Sequence, residues 1–254
     1  MPGGGRTHAA SHRASGGALD EGGPMKKLVH GVHRFHSEVF ASQRDLFLRL
    51  GGGQSPQALF VTCSDSRIDP NLLTQTQPGE LFILRNAGNI VPAWGTHGAE
   101  AATIEFAIAG LGIEHIVVCG HSHCGAMKAL ITPGSVDRMP AMREWLTHAA
   151  ATGQVVDECY ADRDPEERLN VAIQENVLAQ LTNLRTHPAV AARLATGKLH
   201  LHAWVYKITS GEVFAYDQDA GQFRVLGGEA PAMDQPRRSL DGALLADARD
   251  GGSR

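Results

Sequence analysis

The chain has 254 residues, a formal net charge of −4 and a hydrophobic content of 43%, which is enough to bury a full core. Its basic residues are scattered along the chain, so no electrostatic footprint for nucleic acid is present. No apolar run approaches the roughly 18 residues that a membrane-spanning helix needs. These properties predict one or two globular domains that bind neither nucleic acid nor membrane.

Both ends of the chain differ in composition from its centre. Residues 1–24 are rich in Gly, Ser, Ala, His and Arg and lack a periodic apolar face, which predicts a disordered N-terminal extension. Its basic residues are compatible with a transit peptide, but Met25 looks like a natural start, so an upstream extension is the simpler interpretation. After about Leu226 the composition returns to Gly, Asp, Arg and Ala, and we expect a loose C-terminal tail over residues 227–254.

The four cysteines would permit two disulfides, but no secretory hydrophobic region precedes them. Reduced thiols or metal ligands are therefore favoured, and we expect a cytoplasmic location. Cys119 and Cys159 are interpreted as small buried hydrophobic residues.

The first periodic segment extends from Lys26 to Leu50 and predicts an amphipathic helix. Its apolar positions recur at helical spacing: Leu28, Val32, Phe35 and Val39. Such a helix, placed before the first strand, either covers its own domain or docks on a partner subunit. The sequence leaves both possibilities open.

Strand-like and helix-like segments alternate through the rest of the chain. Parallel strands are predicted over residues 58–62, 80–85, 116–118 and 199–206, followed by an antiparallel edge strand over 212–216. Helical patterns cover residues 97–111 and the segment after Asp164, which has an N-cap and a proline at the first helical position. The alternation predicts a single α/β domain over residues 25–226, with a mainly parallel central sheet, helices on both faces and an antiparallel edge strand.

Two short stretches directly follow predicted parallel strands, namely Cys63–Arg67 and His121–Cys124. Ligand sites lie at the carboxyl ends of such strands, so these stretches should meet. Two thiolates and one imidazole form a Cys₂His set, and three protein ligands with a free fourth position are typical of catalytic zinc. Spacing alone does not decide between His121 and His123 as the third ligand.

The motifs Cys-x-Asp-Ser-Arg at Cys63–Arg67 and His-x-x-Cys at His121–Cys124 resemble the signature of the β-class carbonic anhydrases. The segments Arg85–Asn89 and Gly120–Gly125 reinforce this resemblance, which is strongest to the plant and cyanobacterial branch. The resemblance implies one Zn²⁺ per chain, reversible hydration of carbon dioxide to bicarbonate and a proton, and a homodimer or higher homo-oligomer. It also selects His121 as the third zinc ligand, beside Cys63 and Cys124.

Asp65 and Arg67 share one face of an extended segment with Cys63, because side chains alternate with a period of two. An ordinary surface ion pair of this kind is worth at most about 1 kcal/mol. Beside a metal, Arg67 would hold the carboxylate, and Asp65 would accept the proton of zinc-bound hydroxide and direct its lone pair at carbon dioxide. In some family members the equivalent aspartate instead ligates zinc, and the sequence does not distinguish the two states.

The resemblance also implies a substrate pocket formed by Gln54, Phe82, Ala87, Phe106 and Gly125. Gln54 matches a glutamine that donates to a substrate oxygen, and a solvated loop amide is the alternative. Apolar walls suit a nonpolar gas. Plant enzymes commonly have a tyrosine where Phe106 stands, so a hydroxyl contribution is absent here.

Other functions remain open at the level of sequence. Hydrolysis of a related heterocumulene, carbon disulfide or carbonyl sulfide, is possible within the same fold, and a catalytically silent zinc-binding scaffold is a different class altogether. The Asp65–Arg67 pair argues against a silent scaffold, since a structural site has no use for it. A thiol redox protein is disfavoured because the chain has no Cys-x-x-Cys motif. His200 and His202 share one side of a predicted strand and are interpreted as a polar face rather than a second metal pair.

Overall fold

A computed structural model describes residues 23–227, so all but three residues of the predicted terminal segments, 1–24 and 227–254, lie outside the described residues. The chain divides into two units, Met1–Gln54 and Ser55–Arg254. No helix within residues 23–227 is long and apolar enough to cross a membrane. The boundaries predicted for a single domain over residues 25–226 stay a prediction.

The described part of the first unit, residues 23–54, is largely helical, as the periodicity predicted, but its helix has three segments. These are α1 (Pro24–Arg34), a π-helical segment (Phe35–Phe40) and α2 (Arg44–Leu50). The ring of Phe47 lies 5.5 Å from that of Phe35 and 5.3 Å from that of Phe40, which packs α2 against the π-helical segment. Large apolar side chains nevertheless stay between 40% and 68% exposed: Leu28, Val32, Phe35, Val39 and Leu48.

The second unit is built on a six-stranded sheet with the order β2-β1-β3-β4-β5-β6. The strands are β1 (Ala58–Cys63), β2 (Leu81–Asn86), β3 (His115–His121), β4 (His200–Tyr206), β5 (Val213–Asp217) and β6 (Gln222–Val225). Strands β1 to β4 pair in parallel, whereas β5 and β6 are antiparallel. The predicted α/β fold with a mainly parallel sheet is confirmed. Strand β6 was not predicted, and β6 rather than β5 forms the antiparallel edge.

Seven α-helices of the described residues connect or follow these strands. They are α3 (Pro70–Thr74), α4 (Ala99–Glu105), α5 (Gly125–Leu130), α6 (Pro140–Leu146), α7 (Ala150–Cys159), α8 (Pro165–Thr186) and α9 (Pro188–Ala195). The predicted start of α8 is confirmed, because Asp164 Oδ1 accepts the N–H groups of Glu166 and Glu167 at 2.9 and 3.1 Å. This cap satisfies two N–H groups that lack partners within the helix.

The two faces of the sheet bury different apolar clusters. Successive residues of β1 alternate between them, with Leu59 and Val61 in the larger cluster and Phe60 in the smaller one. Ile104 of α4 and Ile173 of α8 pack in the larger cluster, whereas Leu73 of α3 packs against the smaller one. Helices therefore cover both faces, as predicted.

Candidate metal centre

The predicted convergence of two strand ends is present in the structure. Cys63 is the last residue of β1, His121 is the last residue of β3, and Cys124 immediately precedes α5. Their ligand atoms all lie within 4.8 Å of one another, and all three residues are buried. Within residues 23–227, no other group of three or more His, Cys, Asp or Glu residues is close enough to hold a metal ion. Direct parallel pairing of β1 with β3 brings these ends together.

The ring of His121 is arranged as a ligand. Its Nδ1 donates to the backbone carbonyl of Ser122 at 2.9 Å, and in the neutral ring this tautomer gives Nε2 a free lone pair. Nε2 is buried and has no hydrogen-bond partner among the described residues. A buried polar atom without a partner costs about 1–3 kcal/mol, so the geometry points to a bound cation as its partner.

The two sulfur atoms have the spacing of metal ligands. Sγ of Cys63 and Sγ of Cys124 are 4.0 Å apart, and both cysteines are free thiols. A disulfide would require about 2.05 Å. Two thiolates on a tetrahedral zinc ion, each at about 2.3 Å, would lie roughly 3.8 Å apart. Together with Nε2 of His121, the donor set fits zinc.

The pocket stabilises one thiolate. A contact with the Cys124 thiol outweighs the effect of burial and, with a smaller contribution from the Gly88 N–H, lowers the pKa of Cys63 to about 4. The pKa of Cys124 is raised, because its proton is held by the Cys63 sulfur and its side chain is buried. Cysteine binds metals as the thiolate, so this environment favours the ligand form of Cys63.

The Asp65–Arg67 pair lies beside these ligands. Arg67 donates from Nε to Asp65 Oδ1 at 2.9 Å and from Nη2 to Oδ2 at 2.7 Å, a bidentate contact. Oδ2 of Asp65 lies 3.8 Å from Nε2 of His121. The arginine holds the pKa of the Asp65 carboxyl well below its usual range. The structure therefore shows Asp65 paired with Arg67.

Arg85 supports this segment in a way the sequence did not predict. It donates from Nε to the Cys63 carbonyl at 3.0 Å, and from Nη2 to the carbonyls of Asp65 and Ile68 at 2.8 and 2.9 Å. Arg85 therefore fixes the backbone that carries both Cys63 and Asp65. The available signal was a single arginine near the end of an apolar strand, which does not specify carbonyl partners.

A row of amide side chains on α8 holds the backbone that follows β2. We call it the amide row: Asn176, Gln180 and Asn183. Asn176 donates to the carbonyl of Gly88 at 2.9 Å, and Asn183 donates to that of Val91 at 2.8 Å. Gln180 accepts the N–H of Val91 at 2.8 Å. The only signal in the sequence is a set of uncharged amides at helical spacing, and the same pattern also occurs on solvated faces.

The residues predicted to bind substrate fall into several places. The rings of Phe82 and Phe106 lie 6.0 Å apart, and Gly125 is the first residue of α5. Ala87 packs against the larger cluster, and its carbonyl accepts a hydrogen bond from the Trp145 indole at 2.8 Å.

Gln54 is the last residue of the first unit, and its contact with substrate stays a prediction. His123 is exposed and has a φ of 57°, and its backbone carbonyl accepts from Arg67 at 3.2 Å. His123 is therefore a local hydrogen-bonding neighbour, whereas His121 stands in the ligand cluster.

The interpretation of the isolated cysteines is half correct. Cys119 is buried, and burial raises its pKa to about 12. Cys159 is exposed, so its assignment as a buried residue was wrong. It ends α7, and the next residue, Tyr160, fills the core instead.

His200 and His202 group with His115 at the amino ends of β3 and β4, away from the metal ligands. Nδ1 of His115 lies 3.1 Å from Nε2 of His202, and the ring of His200 stacks on that of His115. The three do not form a ligand cluster within the described part of the chain. Their interpretation as a polar face stays a prediction.

A mainly parallel α/β sheet with a buried Cys₂His cluster at two strand ends, beside an ionised aspartate, is the arrangement expected of a metal-dependent enzyme. The family model described as carbonic anhydrase matches residues 58–213, more than half of the chain. A carbonic anhydrase of Synechocystis sp. is 49% identical over 195 residues, which cover 76% of this chain and 71% of that protein. A carbonic anhydrase of Pseudomonas aeruginosa is 45% identical over 215 residues, which cover 81% of this chain and 97% of that protein.

Solved structures agree with these relatives. The β-carbonic anhydrase CcaA superimposes with a TM-score of 0.78 at 47% identity, covering 80% of this chain and 99% of that chain. One of two tetrameric β-carbonic anhydrases from Sordaria macrospora has a TM-score of 0.68 at 28% identity, and the match covers 80% of this chain and 97% of that chain. The chain belongs to the β-carbonic anhydrases, enzymes that interconvert carbon dioxide and bicarbonate, which confirms the resemblance.

Proposed function

We propose that this chain binds one zinc ion through Cys63, His121 and Cys124 and hydrates carbon dioxide at that position. The observation that carries the proposal is the buried Nε2 of His121, which has no hydrogen-bond partner among residues 23–227 and lies with two thiol sulfurs beside Asp65. A zinc ion bound there would acidify a coordinated water, which makes a strong nucleophile available at neutral pH.

Asp65 has the geometry of an orienting group. The Arg67 fork contacts both carboxylate oxygens, so the carboxylate cannot rotate freely. We propose that Asp65 accepts a hydrogen bond from the attacking oxygen and thereby directs a lone pair of that oxygen toward the substrate carbon. Arg67 acts through Asp65 and is a positioning residue in this scheme.

The substrate pocket is proposed from the resemblance and from the apolar character of its members. Phe82, Ala87, Phe106 and Gly125 would line it, and Gln54 would donate to a substrate oxygen. A related Coccomyxa enzyme has been solved in complex with acetazolamide, and we propose that this sulfonamide also inhibits the present enzyme.

We further propose that the protein is a homodimer or a higher homo-oligomer. Two observations support this: apolar side chains such as Leu28 and Val32 are more than half exposed in the first unit, and the Sordaria relatives are described as tetrameric. The cytoplasmic location stays a prediction.

The substitution Asp65→Asn tests the mechanism, because the amide keeps the shape but is neutral and can present a donor instead of an acceptor. We expect one zinc per chain in both proteins and a hydration rate lowered on the order of 10²-fold or more. Zinc content by metal analysis and stopped-flow carbon dioxide hydration at saturating zinc would measure both quantities.

The matched control is Asp157→Asn, which removes a different Asp–Arg ion pair, with Arg168 at 2.6 Å, and should leave the rate unchanged. If the zinc-loaded Asp65→Asn variant is as fast as the parent, Asp65 and Arg67 form only a local ion pair and do not take part in catalysis. A parent protein that holds zinc but does not hydrate carbon dioxide would be a silent scaffold.

A further inference from the structure

One backbone N–H is directed at a ligand sulfur. The amide nitrogen of Gly88 lies 3.3 Å from Sγ of Cys63. Gly88 has a φ of 84°, and a Cβ built there would lie 3.0 Å from Cβ of Ala126 and 3.1 Å from Cε of Met127. The position therefore requires glycine, and glycine has little backbone stiffness of its own. Contacts from other residues must set the direction of this N–H.

Two contacts hold the two peptide groups of Gly88: the Trp145 indole donates to the Ala87 carbonyl, which shares a peptide plane with the Gly88 N–H, and the amide row of α8 holds the Gly88 carbonyl. Asn176 donates from Nδ2 to the Gly88 carbonyl at 2.9 Å, and Gln180 donates from Nε2 to Oδ1 of Asn176 at 2.8 Å. Both amides are fully buried. Val91 fixes their orientation, because its backbone N–H is a donor and must face Oε1 of Gln180. Neither amide can flip without leaving a buried group unpaired.

We propose that Asn176 is a positioning residue of the metal centre: it holds the Gly88 residue so that its N–H donates to the Cys63 sulfur. This inference rests on the proposed zinc site. A hydrogen bond to a ligand sulfur withdraws charge from the metal–sulfur bond, and outer contacts of this kind typically change metal affinity or activity about 10–100-fold. Asn176 thus extends the metal centre from two strand ends into α8.

The test compares Asn176→Leu with Asn183→Leu. Both variants lose an amide of the same row that donates to a carbonyl of the same loop, but only Asn176 contacts Gly88. Zinc would be exchanged for Co²⁺, whose thiolate-to-metal charge-transfer absorption reports the electron density on sulfur. We expect the band of Asn176→Leu at longer wavelength than that of the parent, since sulfur without its N–H donor is more electron-rich. Asn183→Leu should keep the parent band.

The outcomes separate this inference from the proposed function. A parent protein without a cobalt–thiolate band would overturn the zinc site and this inference with it. A parent band that Asn176→Leu leaves unchanged, or that both variants shift equally, would overturn the role of Asn176 alone. Should Asn176→Leu not fold, Asn176→Ala removes the same donor with a smaller change in shape and would be compared with Asn183→Ala.

Discussion

The carboxyl group of Glu175 lies inside the protein on α8, where the residue is 5% exposed. The Tyr160 hydroxyl donates to its Oε1 at 3.4 Å. Burial raises the pKa of Glu175 to about 7, well above the value of about 4.3 for an exposed glutamate. The hydroxyl contact acts in the opposite direction and does not offset the loss of water. Near neutral pH, this group therefore couples folding to protonation.

We expect Glu175 to make the protein less stable as the pH rises. Below about pH 4.3 the carboxyl is protonated in both the folded and the unfolded chain. Between about pH 4.3 and pH 7 the unfolded chain releases its proton while the folded chain retains it, so the free energy of unfolding falls, by about 4 kcal/mol at most. Above that window the loss is complete.

The variant Glu175→Gln isolates this effect, since its amide still accepts from Tyr160 but does not ionise. Urea unfolding of both zinc-saturated proteins at about pH 5 and about pH 8 would measure their free energies of unfolding. The difference, variant minus parent, should be larger at the higher pH. Metal linkage affects both proteins alike and cancels in the comparison. Equal differences at the two pH values would contradict the prediction.

Single residues differ in how far the sequence defines them. Cys63 and His121 could be predicted as ligands because each follows an apolar run, and the ends of parallel strands meet at one edge of a sheet. Glu175 and Asn176 could not, since polar residues at helical spacing normally indicate a solvated face. All seven residues of Val171–Val177 are buried, and only the tertiary packing around α8 determines that.

At the scale of elements, the contact between β3 and α8 positions the carboxyl end of β3, where His121 lies. Gly120 makes this contact possible, because a Cβ at this position would lie 2.8 Å from Cγ2 of Val177 and 3.1 Å from Cγ2 of Ile173. Both neighbours are buried side chains of the larger cluster and have little room to move.

The substitution Gly120→Ala should therefore destabilise the fold by about 1–3 kcal/mol, the usual cost of overpacking a core. Gly153→Ala on α7 is the control, since its Cβ would meet Leu130 at an ordinary 3.6 Å. The control should be neutral or stabilised by up to about 1 kcal/mol, because alanine favours helix over glycine. Denaturant unfolding would rank the variants. If Gly120→Ala is as stable as Gly153→Ala, the strand and helix are not in tight contact.

The elements themselves were predicted from the sequence with uneven success. Strand β1 begins at Ala58 as predicted, because an apolar run between turn residues determines it. Strand β6 has only four residues, too few for a pattern to develop. The helical segment over residues 26–50 includes the π-helical stretch Phe35–Phe40, which apolar spacing does not distinguish from a regular α-helix.

At the scale of the whole molecule, the fold follows from the sequence but the assembly does not. A pattern of apolar residues shows which faces need covering, and it does not show whether the cover comes from the same chain. In the first unit, Leu28 is 59% exposed and Val32 is 68% exposed. Exposed apolar side chains grouped on one helix are typical of surfaces that bind another protein.

We expect the zinc-loaded parent to sediment as a dimer or a larger species, well above the 27.1 kDa of one chain. The double variant Leu28→Asp with Val32→Asp should shift toward the monomer, since burying two unpaired carboxylates in an apolar interface is costly. Leu72→Asp is the matched control, because Leu72 is 71% exposed on α3 and lies outside α1. Sedimentation velocity at several concentrations would measure the size of the three proteins in solution.

A fully active parent that sediments only as a 27.1 kDa monomer would show that α1 does not join subunits. A shift of the control as large as that of the double variant would show that added charge alone, rather than α1, disrupts the assembly.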